Sequence, residues 1–230
     1  MRRFAAALVL GCLLVGCGRA VPTNAPPLPF ATAALPSYVA TYRIEGVSTG
    51  TQSWSVSNRG TETTIRIQEA MGSSTQDETV VLKRDGLGLV SAQATASGTP
   101  SVAISAQVQG EDIVEKATLN GIPEAKSFAL RGQTLVNVAL LPTLAGLDVA
   151  PGEQESITDV ILENAMASTL QLTTGKPLRL TTSAGSFSCI PISLSGSAGR
   201  QTAFVAPKQH LLVRYEDGTT VVILTKVTPA

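Results

Sequence analysis

Apolar residues in this chain recur at every second position, in short runs closed by turn-forming pairs, and few folds accept that pattern. Tyr38-Val39-Ala40-Thr41-Tyr42-Arg43-Ile44 alternates along its length, and Trp54 with Val56, Ile65 with Ile67 and Val80 with Leu82 repeat the spacing. A period of two puts each pair on one face of a strand and leaves Thr, Ser, Gln or Arg on the other, so one face is buried and the other wet. Gly60 and Asp85-Gly86 punctuate these runs as hairpin turns. Further strands are expected near 88–96, 102–109 and 112–119. Beyond the middle of the chain they are expected at Glu155 to Leu162, Ala167 to Thr174, Pro177 to Ser183, Phe187 to Leu194, Arg200 to Val205, Leu211 to Glu216 and Thr219 to Val227. Gly175-Lys176, Ala184-Gly185 and Asp217-Gly218 separate several of these later runs. Strands at spacings of roughly ten residues predict an antiparallel meander.

One stretch departs from the alternation. Leu135, Val136, Val138, Ala139 and Leu140 cluster within Gln133 to Leu141, ahead of Pro142. The reading is a short helix that ends before the proline, with one more turn possible up to Gly146; a buried strand is the alternative. The fold class expected is mainly β: a curved antiparallel sheet or unclosed β-barrel with one short helical insertion.

The N-terminus carries a different message. Arg2 and Arg3 precede an apolar stretch from Phe4 to Val15, and Leu14-Val15-Gly16-Cys17 closes it. This stretch is shorter than the roughly 20 residues of a membrane-spanning helix. A basic start, a short apolar run and small residues before a cysteine form a lipoprotein export signal, cleaved ahead of Cys17 so that the cysteine takes lipid. Val136 to Leu147, the most apolar later stretch, is interrupted by Asn137, Pro142 and Gly146. Pro22, Pro26, Pro27, Pro29 and Pro36 then give an extended tether. The domain plan is residues 1–16 as signal, 17–37 as acylated cysteine and tether, and 38–230 as a single β-rich domain, large enough to bury its own core.

Charge and cysteine content remove several function classes. The chain has 17 basic and 17 acidic residues, and losing Arg2 and Arg3 leaves the remainder slightly acidic. No basic patch for nucleic acid is expected. Of the 3 cysteines, Cys12 leaves with the signal and Cys17 takes lipid, so Cys189 has no disulfide partner. Between Phe187-Ser188 and Ile190-Pro191, with no basic neighbour to lower its pKa, it reads as a buried strand residue.

Catalytic constellations are sparse. No Gly-x-Ser-x-Gly elbow occurs. His210 is the only histidine, so a Ser-His-Asp arrangement would depend on it, and Lys208-Gln209-His210-Leu211 places it at a strand entrance. One histidine and one spare cysteine do not make a zinc site. Glu111-Asp112 and Glu216-Asp217 fall at expected turns, where solvated carboxylates are the rule. No cofactor motif is present, and the glycines are scattered at turn spacing rather than gathered into a phosphate loop.

The lipoprotein signal, proline-rich tether, long strands and single mid-chain helical interruption together resemble the LolA/LolB/LppX-type superfamily of exported unclosed β-barrels. Gly185-Ser-Phe187-Ser-Cys189-Ile, Arg200-Gln-Thr-Ala-Phe204 and His210-Leu-Leu-Val-Arg214-Tyr215-Glu-Asp are similar to the last strands of related half-barrel proteins of the bacterial envelope. The resemblance implies a membrane-anchored, non-enzymatic protein that binds or presents a lipid or other apolar ligand in a cavity. The alternative is a scaffold lipoprotein with a filled core that docks on another envelope component. A hydrolase using His210 is the third reading.

Overall fold

The structure, a computed structural model, describes residues 31–97, 101–129, 134–161, 166–196 and 199–230. A two-residue strand, β1 (Ala31–Thr32), precedes a run of hairpins. These are β2 (Tyr38–Gly46), β3 (Gly50–Arg59), β4 (Glu62–Met71), β5 (Ser74–Lys83), β6 (Leu89–Ser97), β7 (Val102–Gln109), β8 (Asp112–Leu119) and β9 (Ile122–Ala129). The chain then forms β10 (Thr134–Val136), a 3-10 turn at Asn137–Ala139, helix α1 (Leu140–Ala145) and β11 (Leu147–Asp148). A second set of strands completes it: β12 (Gln154–Ile161), β13 (Met166–Thr174), β14 (Leu178–Thr182), β15 (Gly185–Gly196), β16 (Gly199–Ala206), β17 (Leu211–Glu216) and β18 (Thr220–Pro229).

Sixteen of these strands form one sheet, in the order β10-β12-β13-β15-β16-β17-β18-β2-β3-β4-β5-β6-β7-β8-β9, with β14 paired onto β15 beside this path. All its pairings are antiparallel except β10 with β12, which is parallel. The last strand, β18, pairs with the first long one, β2, so the two arms of the chain meet in the middle of the sheet. The ends of the path, β9 and β10, do not pair with each other, and the barrel stays open. The turns use the expected chemistry: Gly60 (φ 58), Gly86 (φ 79) and Gly218 (φ 88) take the left-handed backbone a tight hairpin needs. At the last of these, Asp217 Oδ1 accepts from the amides of Thr219 (2.9 Å) and Thr220 (2.7 Å).

One face of the sheet is buried, and the alternation explains which. Tyr38, Ala40, Tyr42 and Ile44 on β2 point inward with Trp54 and Val56 on β3, Ile65 and Ile67 on β4, and Val80 and Leu82 on β5. On the other arm Ile192, Leu194, Val205, Leu212 and Leu224 join the same cluster. Helix α1 packs against β16 and β17 and fills the inside of this half. Leu144 and Ala145 are fully buried, as is Leu147 beyond the helix. At the helix end Gly146 lets the backbone pass close to other chain: a Cβ there would lie 2.7 Å from Leu87 and 3.1 Å from Leu35.

The helix is not where the sequence places it. Thr134–Val136, expected to be helical, is the parallel edge strand β10, and the helix contains Pro142 instead of ending before it. The reason is positional. Pro142 is the third residue of α1, in the first turn, where backbone N–H groups have no intrahelical acceptor and the missing donor costs nothing. The tether also ends earlier than expected. Ala31 pairs with Asp148, the Ala33 amide donates to the Gly146 carbonyl at 2.9 Å, and Leu35 is buried with its carbonyl accepting from Asn58 Nδ2 at 2.8 Å. Residues 31–37 therefore belong to the packed body. Residues 1–30, on which the expected signal, Cys17 and most of the expected tether fall, lie outside the described residues.

Candidate binding face

The inner face is not uniform along the sheet. Register carries one row of side chains across it: Leu224, Tyr42, Gln52, Glu69, Gln76, Ala96, Val102, Leu119 and Ile122 stand opposite one another from β18 to β9. The row begins apolar and buried, turns polar in the middle and ends apolar and open. Leu119 is 48% exposed and Ile122 67%. The neighbouring row reads Ala40, Trp54, Ile67, Glu78, Ala94, Ile104, Ala117 and Glu124. The inner face of β6 to β8 thus carries mostly small and apolar side chains, interrupted by the buried Glu115 on β8, and it runs out to a free sheet edge.

The polar middle holds two hydrogen-bonded groups. Trp54 Nε1 donates to Gln52 Oε1 at 2.9 Å, and Gln52 Nε2 donates to Glu69 Oε2 at 2.9 Å. Gln76 Nε2 donates to Glu78 Oε1. Both glutamates are buried. Burial pushes the Glu69 carboxyl above the usual range, and the hydrogen bond from Gln52 offsets part of that rise. A carboxyl whose pKa is raised by folding binds its proton more tightly in the native state. The stability it contributes is complete below the unfolded-state pKa and is lost as pH rises through the folded one. Glu69→Gln keeps an acceptor for Gln52 and removes the charge. The variant is expected to have a higher urea midpoint than the parent at pH 8, with the difference shrinking towards pH 4; a difference that grows on acidification would contradict this.

Two shallow grooves include wet-face residues in their lining. One, of about 360 Å³, lies over Ser91, Gln93, Ser105, Gln107 and Lys116; another, of about 300 Å³, lies over Thr41, Ser53, Gln68 and Asp77. His210 sits in the turn between β16 and β17 at a φ of 50, and its Nδ1 is buried with no hydrogen-bond partner among the described residues. Cys189 is fully buried on β15, where burial pushes its thiol up to about 11. It is protonated at neutral pH and inert. No group of three or more metal-ligating side chains occurs among the described residues, and none of their helices is long and apolar enough to cross a membrane.

The inward glutamates escaped the sequence reading, although the signal was present. Glu69 follows Ile65 and Ile67 in steps of two, and Glu78 precedes Val80 by the same step, so parity alone puts both on the buried face.

No family model matches the sequence, and the search of curated proteins found no match. Solved structures do match. A β-barrel-like protein of the domain of unknown function DUF1849 from Brucella abortus aligns with a TM-score of 0.58 and 12% identity, over 86% of this chain and 99% of its own. A candidate exported protein with a YmcC-like fold from Bacteroides fragilis aligns at 0.38 and 8% identity, and a candidate lipoprotein from Parabacteroides distasonis at 0.34 and 11%, each over 86% of this chain and 99% of its own. The first likeness supports the open β-barrel architecture; kinship with the lipoprotein carriers does not follow from it.

Proposed function

We propose that this chain is a non-enzymatic lipoprotein of the bacterial envelope, outside the cytoplasm and held to a membrane by lipid on Cys17. It binds one acyl chain on the open part of its inner face. The observation that carries the reading is the apolar row Ala96, Val102, Leu119 and Ile122, which register lines up and which is half-buried at its first two members and exposed at its last two. The other half is filled by α1, so the ligand lies along the single row from Ala96 to Ile122, beside the inward Glu115, Glu124 and Lys126, rather than in a deep cavity. Each buried CH₂ contributes about 0.8 kcal/mol, and covering about ten of them approaches the roughly 8 kcal/mol of a micromolar Kd before association costs. Binding is therefore exchangeable, which suits presentation or transfer.

The polar end of the ligand meets Gln76 and Glu78, which lie opposite Ala96 and Ala94. Two buried carboxyls in that neighbourhood disfavour an anionic headgroup and favour one that donates hydrogen bonds, such as a glycerol hydroxyl. Native mass spectrometry of the mature chain carrying Cys17→Ser tests this with two probes. Monooleoylglycerol is expected to add its mass, oleate at pH 8 to add little, and Leu119→Asp with Ile122→Asp to abolish uptake while the far-UV circular dichroism stays unchanged. No uptake of either probe would sink the proposal and leave the scaffold reading in its place.

A further inference from the structure

The free edge of the sheet carries a self-complementary charge pattern. Strand β9 ends the sheet path, its residues from Ile122 to Ser127 are all exposed, and no backbone hydrogen bond reaches its outer edge from the described residues. The turn before it is a two-residue one, with Asn120 (φ 50) and Gly121 (φ 83) both left-handed. Such a turn makes Leu119 and Ile122 a hydrogen-bonded pair, so Ile122, Glu124 and Lys126 spend their backbone groups on β8. Those of Pro123, Ala125 and Ser127 face outward.

We propose that β9 pairs antiparallel with β9 of a second copy of this chain about a two-fold axis through Ala125, joining the two sheets into one. In that register Glu124 stands opposite Lys126 of the second copy, and Lys126 opposite its Glu124. A shift of the axis by one residue either way sets Glu124 or Lys126 against itself, and like charges directly opposite are destabilising. The existing Glu124–Lys126 ion pair is exposed at 3.4 Å, so exchanging it for one across the interface costs little. Pro123 has no N–H and forfeits one ladder bond at each end, but its carbonyl still accepts from the Ser127 amide of the second copy. That loss makes the association reversible. The two-fold uses each free β9 edge once, so the assembly closes at two copies instead of growing into a fibre.

Charge reversal tests the register directly. The full chain with Ala125→Cys is oxidised mildly in its native membranes. Cys189 is buried, and the Cα separation of about 5.5 Å in a hydrogen-bonded pair is within disulfide range. A cross-linked dimer is expected. Adding Lys126→Glu, or Glu124→Lys, is expected to reduce it about tenfold, because each sets like charges opposite at both ends. Co-expressing the two reversed chains with different tags is expected to restore a mixed dimer, since each supplies the charge the other now lacks. All these positions are exposed, so folding is unaffected. Absence of a cross-link with Ala125→Cys alone, cross-linking indifferent to either reversal, or failure of the mixture to restore it would each overturn the proposal.

Discussion

Trp54→Ala is expected to lower the free energy of unfolding by about 3–5 kcal/mol, a large share of the roughly 5–15 kcal/mol that holds a domain folded. Trp54 is 1% exposed, in the middle of the sheet one strand from the β18–β2 seam. Its ring lies 4.6 Å from that of Tyr42 at 44°, and the Tyr42 hydroxyl in turn donates to the Leu212 carbonyl at 3.1 Å on the other arm. Truncation removes the ring's burial, leaves a cavity between the arms and strips Gln52 Oε1 of its donor. Trp54→Phe keeps much of the packing and loses only the N–H, so its cost should be clearly smaller. Urea midpoints by circular dichroism separate the two. Equal costs would mean that the hydrogen-bond network, rather than packing, dominates at this position.

Cys17→Ala is expected to be all-or-none. Without a thiol there is no atom for the acyl donor, so incorporation of labelled palmitate should fall to background, and stable anchoring, which takes more than one chain, should be lost with it. Cys189→Ala should leave labelling unchanged, because that thiol is buried. Label persisting in Cys17→Ala would place the lipid elsewhere and remove the basis for a membrane address.

What could be read from the sequence followed the local physics. Alternation located most strands, because burial on one face leaves a period-two trace in pairs such as Ile65 and Ile67. Strand β9 left no such trace: Ile122-Pro-Glu-Ala-Lys-Ser127 is exposed on both faces, so nothing forces its residues to alternate. Leu35 sat among prolines that read as tether, and its burial rests on contacts distant in sequence, among them the helix end at Gly146 and the bond from Asn58. The helix was displaced because a proline signals an end or a first turn with equal force. The apolar row at the open edge was visible residue by residue, since Val102 and Leu119 lie on expected strands. Its alignment depends on registers that no single segment encodes.

The seam between β18 and β2 has a consequence for how the molecule reaches its folded state. Gly46 pairs with Thr220 and Tyr38 with Pro229, so the first long strand finds one of its two neighbours only in β18, about 175 to 190 residues further along the chain. Closing so distant a pair is slow, because the loop entropy is spent before the contacts form. A chain delivered across a membrane N-terminus first would therefore emerge with β2 exposed along one edge, unable to complete its sheet until the C-terminus arrives. In a chain so delivered, that delay would keep it threadable for the whole of its passage and make β18 the step that commits it to its fold.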